Sequence, residues 1–326
     1  MELQLVAVTG MPEVGAGDDL AELIVASAEP LTSGDIVIVT SKVVSKAAGL
    51  ATEGDRESLV VQQSERVVAL RGATAIVRTR HGLTMAAGGV DSSNTPEGTV
   101  VPLPTDPDAD ARALRAAIRA STGQDVAVVV TDTAGRPWRL GQTDIAIGVA
   151  GLVPRLVYAG DVDSHGNTLV VTSPAIADEI ASAGDLVKGK LAGCPVAVLR
   201  GAPSEWLLGD DGPGATDLIR PENEDMFGLG ALDAVRAAVR RDIDPVRGFP
   251  EAQPDAVEQI LADAAARADL EHVTVELAEP GVVEVSTTRS SPDRRTAVDM
   301  GIVSERIRTL AAAHRVSLRV RLTGLD

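Results

Sequence analysis

Three short runs of apolar residues constrain this chain more than any other feature: DIVIVT (35–40), DVAVVVTDT (125–133) and CPVAVLRG (194–201). A strand with one solvated face alternates apolar and polar residues, whereas a run apolar at nearly every position belongs to a strand buried on both faces. The chain therefore needs a sheet with an interior. Further strands are expected at 2–8, 74–80, 83–87, 143–149 and 168–172, and His81-Gly82 gives the second and third of these a hairpin-length link. Helical periodicity recurs at 18–28, 56–70, 109–120, 174–186, 228–241, 254–269 and 297–314. Asp108 or Asp110 is placed to cap the third helix, and Ser173-Pro174 supplies a cap and first position for the fourth. Strands and helices do not alternate strictly. The expected class is therefore α+β with a mixed sheet, not a doubly wound one.

At 326 residues the chain has room for one large domain or two. Asp244-Pro245, Gly248, Pro250 and Pro254 punctuate it after a basic helix end at Arg236, Arg240 and Arg241. Beyond them the pattern reads helix, strand 273–277, turn Glu279-Pro280-Gly281, strand 282–286, helix, strand 316–322. This predicts a large first domain over 1–245 and a small accessory α+β domain over 246–326. No internal repeat is visible.

A formal net charge of −17 makes duplex nucleic acid and anionic lipid poor partners. The five aromatic residues are too scattered for a base-stacking platform. A single cysteine, Cys194, rules out an internal disulfide and suits a reducing compartment. With no basic leader and no apolar run of membrane-spanning length, a soluble cytoplasmic protein is expected.

Of 30 cationic residues only four are lysine, and they fall in two tight pairs, Lys42 with Lys46 and Lys188 with Lys190. Two readings stay open: chance clustering on a solvated surface, or compact point charges kept where they meet phosphate. There is no phosphate-binding G-x-x-x-x-G-K-[ST] loop, no strand-borne G-x-G-x-x-G and no G-x-S-x-G elbow. The four histidines lack H-x-x-x-H spacing, and His81 in a turn and His314 at a helix end read as structural.

What remains is carboxylates at strand ends. In VVVTDTAGRPWRLG (128–141), Asp132 and Thr133 stand where an apolar strand meets a glycine-containing turn, a hard-oxygen pair suited to Mg2+ or Mn2+. Arg136 and Arg139 follow and could clamp an anionic substrate. The competing reading is a turn in which Asp132 bonds its own backbone. AAGGVDSSN (86–94) ends similarly in Asp91, Ser92, Ser93 and Asn94, and TSKVVSK (40–46) brings lysines to a third strand end. Together these suggest a metal–phosphate enzyme without a P-loop.

The segments VTGMPEV (8–14), GDDL (17–20), GDIVIVTSKVVSK (34–46), AGGVDSSN (87–94), VTDTAGR (130–136), YAGDVDSHGN (158–167), ADEIA (177–181) and DLVKGKL (185–191) are similar, in collinear order, to the coenzyme F420-0:L-glutamate ligase family. The likeness covers about residues 1–240 and is closer to the N-terminal half of the actinobacterial bifunctional enzyme than to the shorter archaeal one. The resemblance implies an intertwined homodimer of mixed α/β fold. It implies a GTP-dependent ligase that uses Mg2+ or Mn2+, with a monovalent cation such as K+. Such an enzyme adds L-glutamate to the lactyl-type carboxylate of the deazaflavin F420-0 through an acyl phosphate, then adds further γ-linked glutamates.

Carried over residue by residue, GTP contacts fall on Met11, Pro12, Glu13, Val14, Ser41, Lys46 and Asn94, and divalent cations on Asp91, Asp132 and Thr133. Arg136, Lys188 and Lys190 are candidates for substrate or phosphate contact. The family chemistry needs no protein nucleophile, and none is assigned. The stretch 188–195 is shorter and more basic than its archaeal counterpart, so no second-metal ligand is carried over there. The bifunctional relative's C-terminal FMN-binding, nitroreductase-like half does not fit into 246–326, and no FMN is expected. The alternatives are another nucleotide-dependent acid–amine ligase, separable by assaying acceptors, and a catalytically silent deazaflavin-binding protein, separable by GDP release.

Overall fold

A computed structural model describes residues 2–93, 95–243, 248–249, 252–266 and 272–325. The three apolar runs become adjacent inner strands of one five-stranded mixed sheet. In chain order its strands are β1 (Gln4–Val8), β2 (Ile36–Thr40), β8 (Ala127–Gly135), β9 (Gln142–Ala150) and β10 (Val196–Arg200), and in space β1-β10-β2-β8-β9. Only β2 and β8 run parallel; every other neighbour is antiparallel.

Along β2, Val37 and Val39 join one apolar cluster and Ile36 and Ile38 the other, which is why the run has no polar position. One face is covered by α1 (Leu20–Ser27), α2 (Ser41–Ala47) and α4 (Pro107–Thr122), the other by α5 (Ile176–Lys188). Asp19 caps α1 by accepting from the Glu22 amide, 3.0 Å.

Between α2 and α4 the chain forms β3 (Thr52–Glu53) paired with β7 (Thr99–Val100), α3 (Arg56–Gln63), and a meander of β4 (Ser64–Arg71), β5 (Thr74–Thr79) and β6 (Thr84–Ala86). Val60, Val77, Val90 and Val100 form their small core.

The chain divides into compact units at 1–219 and 220–326. The second unit holds α6 (Ala231–Arg240), α7 (Ala256–Ala265), β11 (Val273–Glu279), β12 (Val282–Thr287), α8 (Arg294–Ala313) and β13 (Arg319–Leu322). Its three strands pair β11-β12-β13 around Ile260, Val283, Val285, Met300 and Ile307, so this unit is itself α+β. Of the expected boundary at 244–254, residues 244–247 and 250–251 lie outside those described. Among the described residues no helix is long and apolar enough to cross a membrane.

Several local expectations change. The periodicity at 56–70 is not one helix: α3 stops at Gln63 and Ser64 opens β4, because residues 64–71 pair with β5 across a turn in which Gly72 takes φ +57°. Residues 168–172 make no strand, only a single bridge from Thr168 to Val162. The α4 cap is Asp106, which accepts from the Ala109 amide, since Pro107 already occupies the first turn. Asp108 is buried one residue on and binds the amides of Val149 and Ala215, at 2.8 and 2.7 Å. Ser173 caps nothing; its hydroxyl donates to the Leu156 carbonyl and α5 starts at Ile176.

Candidate functional site

The parallel pairing of β2 and β8 sets the site. Thr40 stands opposite Thr131, so both strands deliver their carboxyl ends to the same edge of the sheet, where open α/β sheets place ligands. At that edge β2 turns directly into α2. The lysines of TSKVVSK therefore lie one helical turn apart, not along an extended strand end. β8 continues past its neighbour, with a bulge at Val130/Thr131, and carries Asp132 and Thr133 within the strand, paired with Ile145 and Asp144 of β9. Asp132 is thus not a turn residue bonding its own backbone. Its Oδ1 accepts from the Ser41 hydroxyl across the sheet, 2.8 Å.

Two recesses share this edge. The larger, about 850 Å³, is walled by Met11–Val14 after β1, by Lys42 and Lys46 of α2, by Thr133 and Asp144, and by Lys188–Lys190 at the end of α5. The smaller, about 340 Å³, is lined by Ser41, Gly89, Asp91, Asp132 and Thr133, with Lys42 and Lys190 common to both. Gly89 takes φ +70°, and a Cβ there would collide with Leu103. All four lysines of the chain therefore meet in one cleft of a protein whose net charge is −17. Lys188 is buried there, whereas Lys190 is exposed.

The electrostatics are strained in one place. Burial pushes the Asp132 carboxyl up to about 7; the Ser41 hydroxyl pulls the other way, the charges of Asp144 and Asp91 push further up, and Lys190 partly offsets them. Asp91 is half-buried, which alone would raise it. It nevertheless sits below the usual carboxylate value, because Lys42 Nζ lies 2.6 Å away and the Ser93 amide and hydroxyl both donate to it. Lys46 Nζ pairs with Glu13 at 2.5 Å, and Glu13 is itself exposed.

Of the residues singled out in the sequence, Met11, Pro12, Glu13, Val14, Lys46 and Lys188 line the larger recess, Ser41, Asp91 and Asp132 the smaller, and Thr133 and Lys190 both. Asn94 lies outside the described residues. Arg136 stands apart on the β8–β9 connection, where its Nη2 donates to the Leu140 carbonyl. Asp144 was missed. Its signal was a charged residue among the apolar positions of 142–150.

A divalent metal fits these donors. Two carboxylates and a hydroxyl form a hard-oxygen set, and a buried carboxylate pressed by two like charges is a place where a cation relieves the strain. Among the described residues no group of three or more His, Cys, Asp or Glu side chains could hold a metal ion. A metal here would thus complete its shell with water or ligand oxygens, as Mg2+ commonly does in nucleotide enzymes.

Comparison with known proteins places the same segments in context. The family model described as F420-0:gamma-glutamyl ligase matches residues 10–57 and 50–201. The chain is 36% identical over 252 residues to the coenzyme F420:L-glutamate ligase of Methanothermobacter thermautotrophicus, covering 70% of this chain and 99% of that protein. It is 39% identical over 236 residues to the one from Methanopyrus kandleri, covering 66% and 93%. It is 35% identical over 251 residues to the one from Haloarcula marismortui, covering 69% and 95%.

Proposed function

The chain belongs to the F420-0:gamma-glutamyl ligase family, and on that premise we propose that it joins L-glutamate to coenzyme F420-0, and then to the growing γ-linked tail, at the expense of GTP. One observation carries the reading: every lysine of an acidic chain converges on the cleft that also holds Asp91, Asp132 and Thr133. A polyphosphate is the ligand class that such a cleft attracts.

The acceptor carboxylate oxygen attacks the γ-phosphorus, the bond to the β-phosphate oxygen breaks, and GDP leaves with its electron pair. The amine of glutamate, deprotonated to solvent, then attacks the acyl carbon of the acyl phosphate and inorganic phosphate departs. Lys46 and the Met11–Val14 segment hold the nucleotide, with Ser41 beside it, and Lys190 meets the transferring phosphoryl group. A divalent cation, Mg2+ or Mn2+, held by Asp91, Asp132 and Thr133, would supply charge neutralisation at the phosphates. The Ser41 hydroxyl orients Asp132 by donating to one of its oxygens. No side chain need become covalently modified, so none has to be a nucleophile.

Incubating the purified protein with F420-0, L-glutamate, GTP and Mn2+ tests this. Products heavier by whole glutamyl residues are expected, with one GDP and one phosphate per residue added. Turnover with ATP but not GTP, or ligation to a different carboxylate only, overturns the assignment. Absence of GDP release would leave the silent deazaflavin-binding reading.

A further inference from the structure

Asp144 and Lys188 form an ion pair in which each side chain is only 4% exposed, at 2.9 Å, in the wall of the larger recess. Such pairs are a weak source of stability, because desolvating both charges offsets most of their attraction. This one is also built into a circuit. Asp144 Oδ2 accepts from Lys188 and from the Thr131 hydroxyl, 2.8 Å, while its Oδ1 accepts from the Thr133 hydroxyl, 3.0 Å. Lys188 donates a second bond to Thr131 Oγ1, 3.1 Å. β-pairing sets Asp144 directly across from Thr133, and the Ser182 hydroxyl fixes the backbone by donating to the Asp144 carbonyl, 2.9 Å.

We infer that Asp144 is a positioning residue for the reaction, which turns Thr133 into a fixed oxygen donor for the divalent cation while tethering Lys188 away from the phosphates. The inference rests on the metal site proposed above. A threonine hydroxyl can point its proton or its lone pairs into a cleft. Here the proton is committed to a carboxylate behind it, so the lone pairs of Thr133 Oγ1 face the ligand. The same carboxylate and Thr131 take two of the three protons on Lys188, whose burial keeps it in the wall. Of the two lysines in KGK, Lys190 is left as the phosphate-facing cation: it is exposed, and it borders both recesses. Both roles belong to one carboxylate on an edge strand that the sequence alone marks only as a polar residue in an apolar run.

The test is Mn2+ affinity, read by the free-Mn2+ spin-resonance signal in the absence of nucleotide, alongside the thermal midpoint of each variant. Asp144→Asn combined with Lys188→Met removes both buried charges together and should keep a near-native midpoint. It should bind Mn2+ at least about 10-fold more weakly, the scale seen when a partner behind a metal ligand is lost. Asp144→Glu keeps the pair with Lys188 but displaces the carboxylate by one methylene, and should weaken Mn2+ similarly. Thr133→Val should match both, and Thr133→Ser should retain most of the affinity. If Asp132→Asn abolishes Mn2+ binding while the double variant and Asp144→Glu bind like the native chain, Asp144 only packs the wall and the inference falls alone. If Asp132→Asn also binds like the native chain, the metal site itself is misplaced and both readings fall.

Discussion

Asp132 pays for its position, because its ionised form is buried beside two other carboxylates. In the unfolded chain it titrates near 4, whereas in the folded, metal-free protein burial holds it up to about 7. Between those values the folded state binds the extra proton, so this group's contribution to stability falls as pH rises from about 4 to 7 and stays low above. Metal-free Asp132→Asn should therefore melt higher than the native chain at pH 8, with the gain shrinking towards pH 4. The same variant should lose at least about 100-fold in turnover, since it removes charge from the proposed site of phosphoryl transfer. Equal melting curves at pH 8, or near-native ligation across a Mn2+ titration, would contradict the placement. Lys46 and Lys42 should separate as well. Lys46 can exchange exposed Glu13 for a phosphate, whereas Lys42 is bound to Asp91 and to the Ser93 carbonyl, 2.7 Å. Lys46→Ala should weaken GTP binding on the order of tenfold and Lys42→Ala less, by calorimetric titration. Asp91, Asp132 and the lysine pairs were legible in the sequence because their chemistry is unusual for their context. Asp144 was not, because its importance lies in partners that β-pairing supplies.

At the level of elements, the close approach of β9 to α4 has one narrow point. A Cβ on Gly148 would fall on the Pro107 carbonyl, and the next residue, Val149, donates its amide to buried Asp108. Backbone cannot move aside cheaply there. Gly148→Ala should cost about 1–3 kcal/mol in denaturant unfolding, the range for overpacking a tight core. Gly209→Ala has open space and an ordinary φ, and should be close to neutral. The inner strands were readable because runs apolar at every position have few other uses. What misled was amphipathic periodicity shared between states. Residues 56–70 fit a helical stripe, yet the half from Ser64 pairs as a strand, since a partner strand and a turn lie just downstream. Asp108 and Ser173 show the same limit: both are good caps by type, and both are recruited by distant backbone instead.

For the molecule as a whole, every residue assigned to the site falls within 11–190, inside the unit that spans 1–219. A chain ending at Gly230, ahead of α6, keeps the entire mixed sheet and should ligate glutamate within about threefold of the full-length rate, well under the tenfold that 1.4 kcal/mol would produce. Loss of activity in a truncated chain that still unfolds cooperatively would assign the second unit a part in the chemistry. The order of the sheet has a last consequence, for synthesis. β10 lies between β1 and β2, and β1 has no other partner in that sheet. Until residue 200 has left the ribosome, β1 lacks its strand partner, and the Met11–Val14 segment meets α2 through local contacts such as Glu13 with Lys46 and the Gly17 amide with the Ala47 carbonyl. A chain stalled before residue 188 thus carries its first two lysines without the 188–195 stretch that completes the larger recess. The larger recess is therefore complete only once residue 195 has been translated.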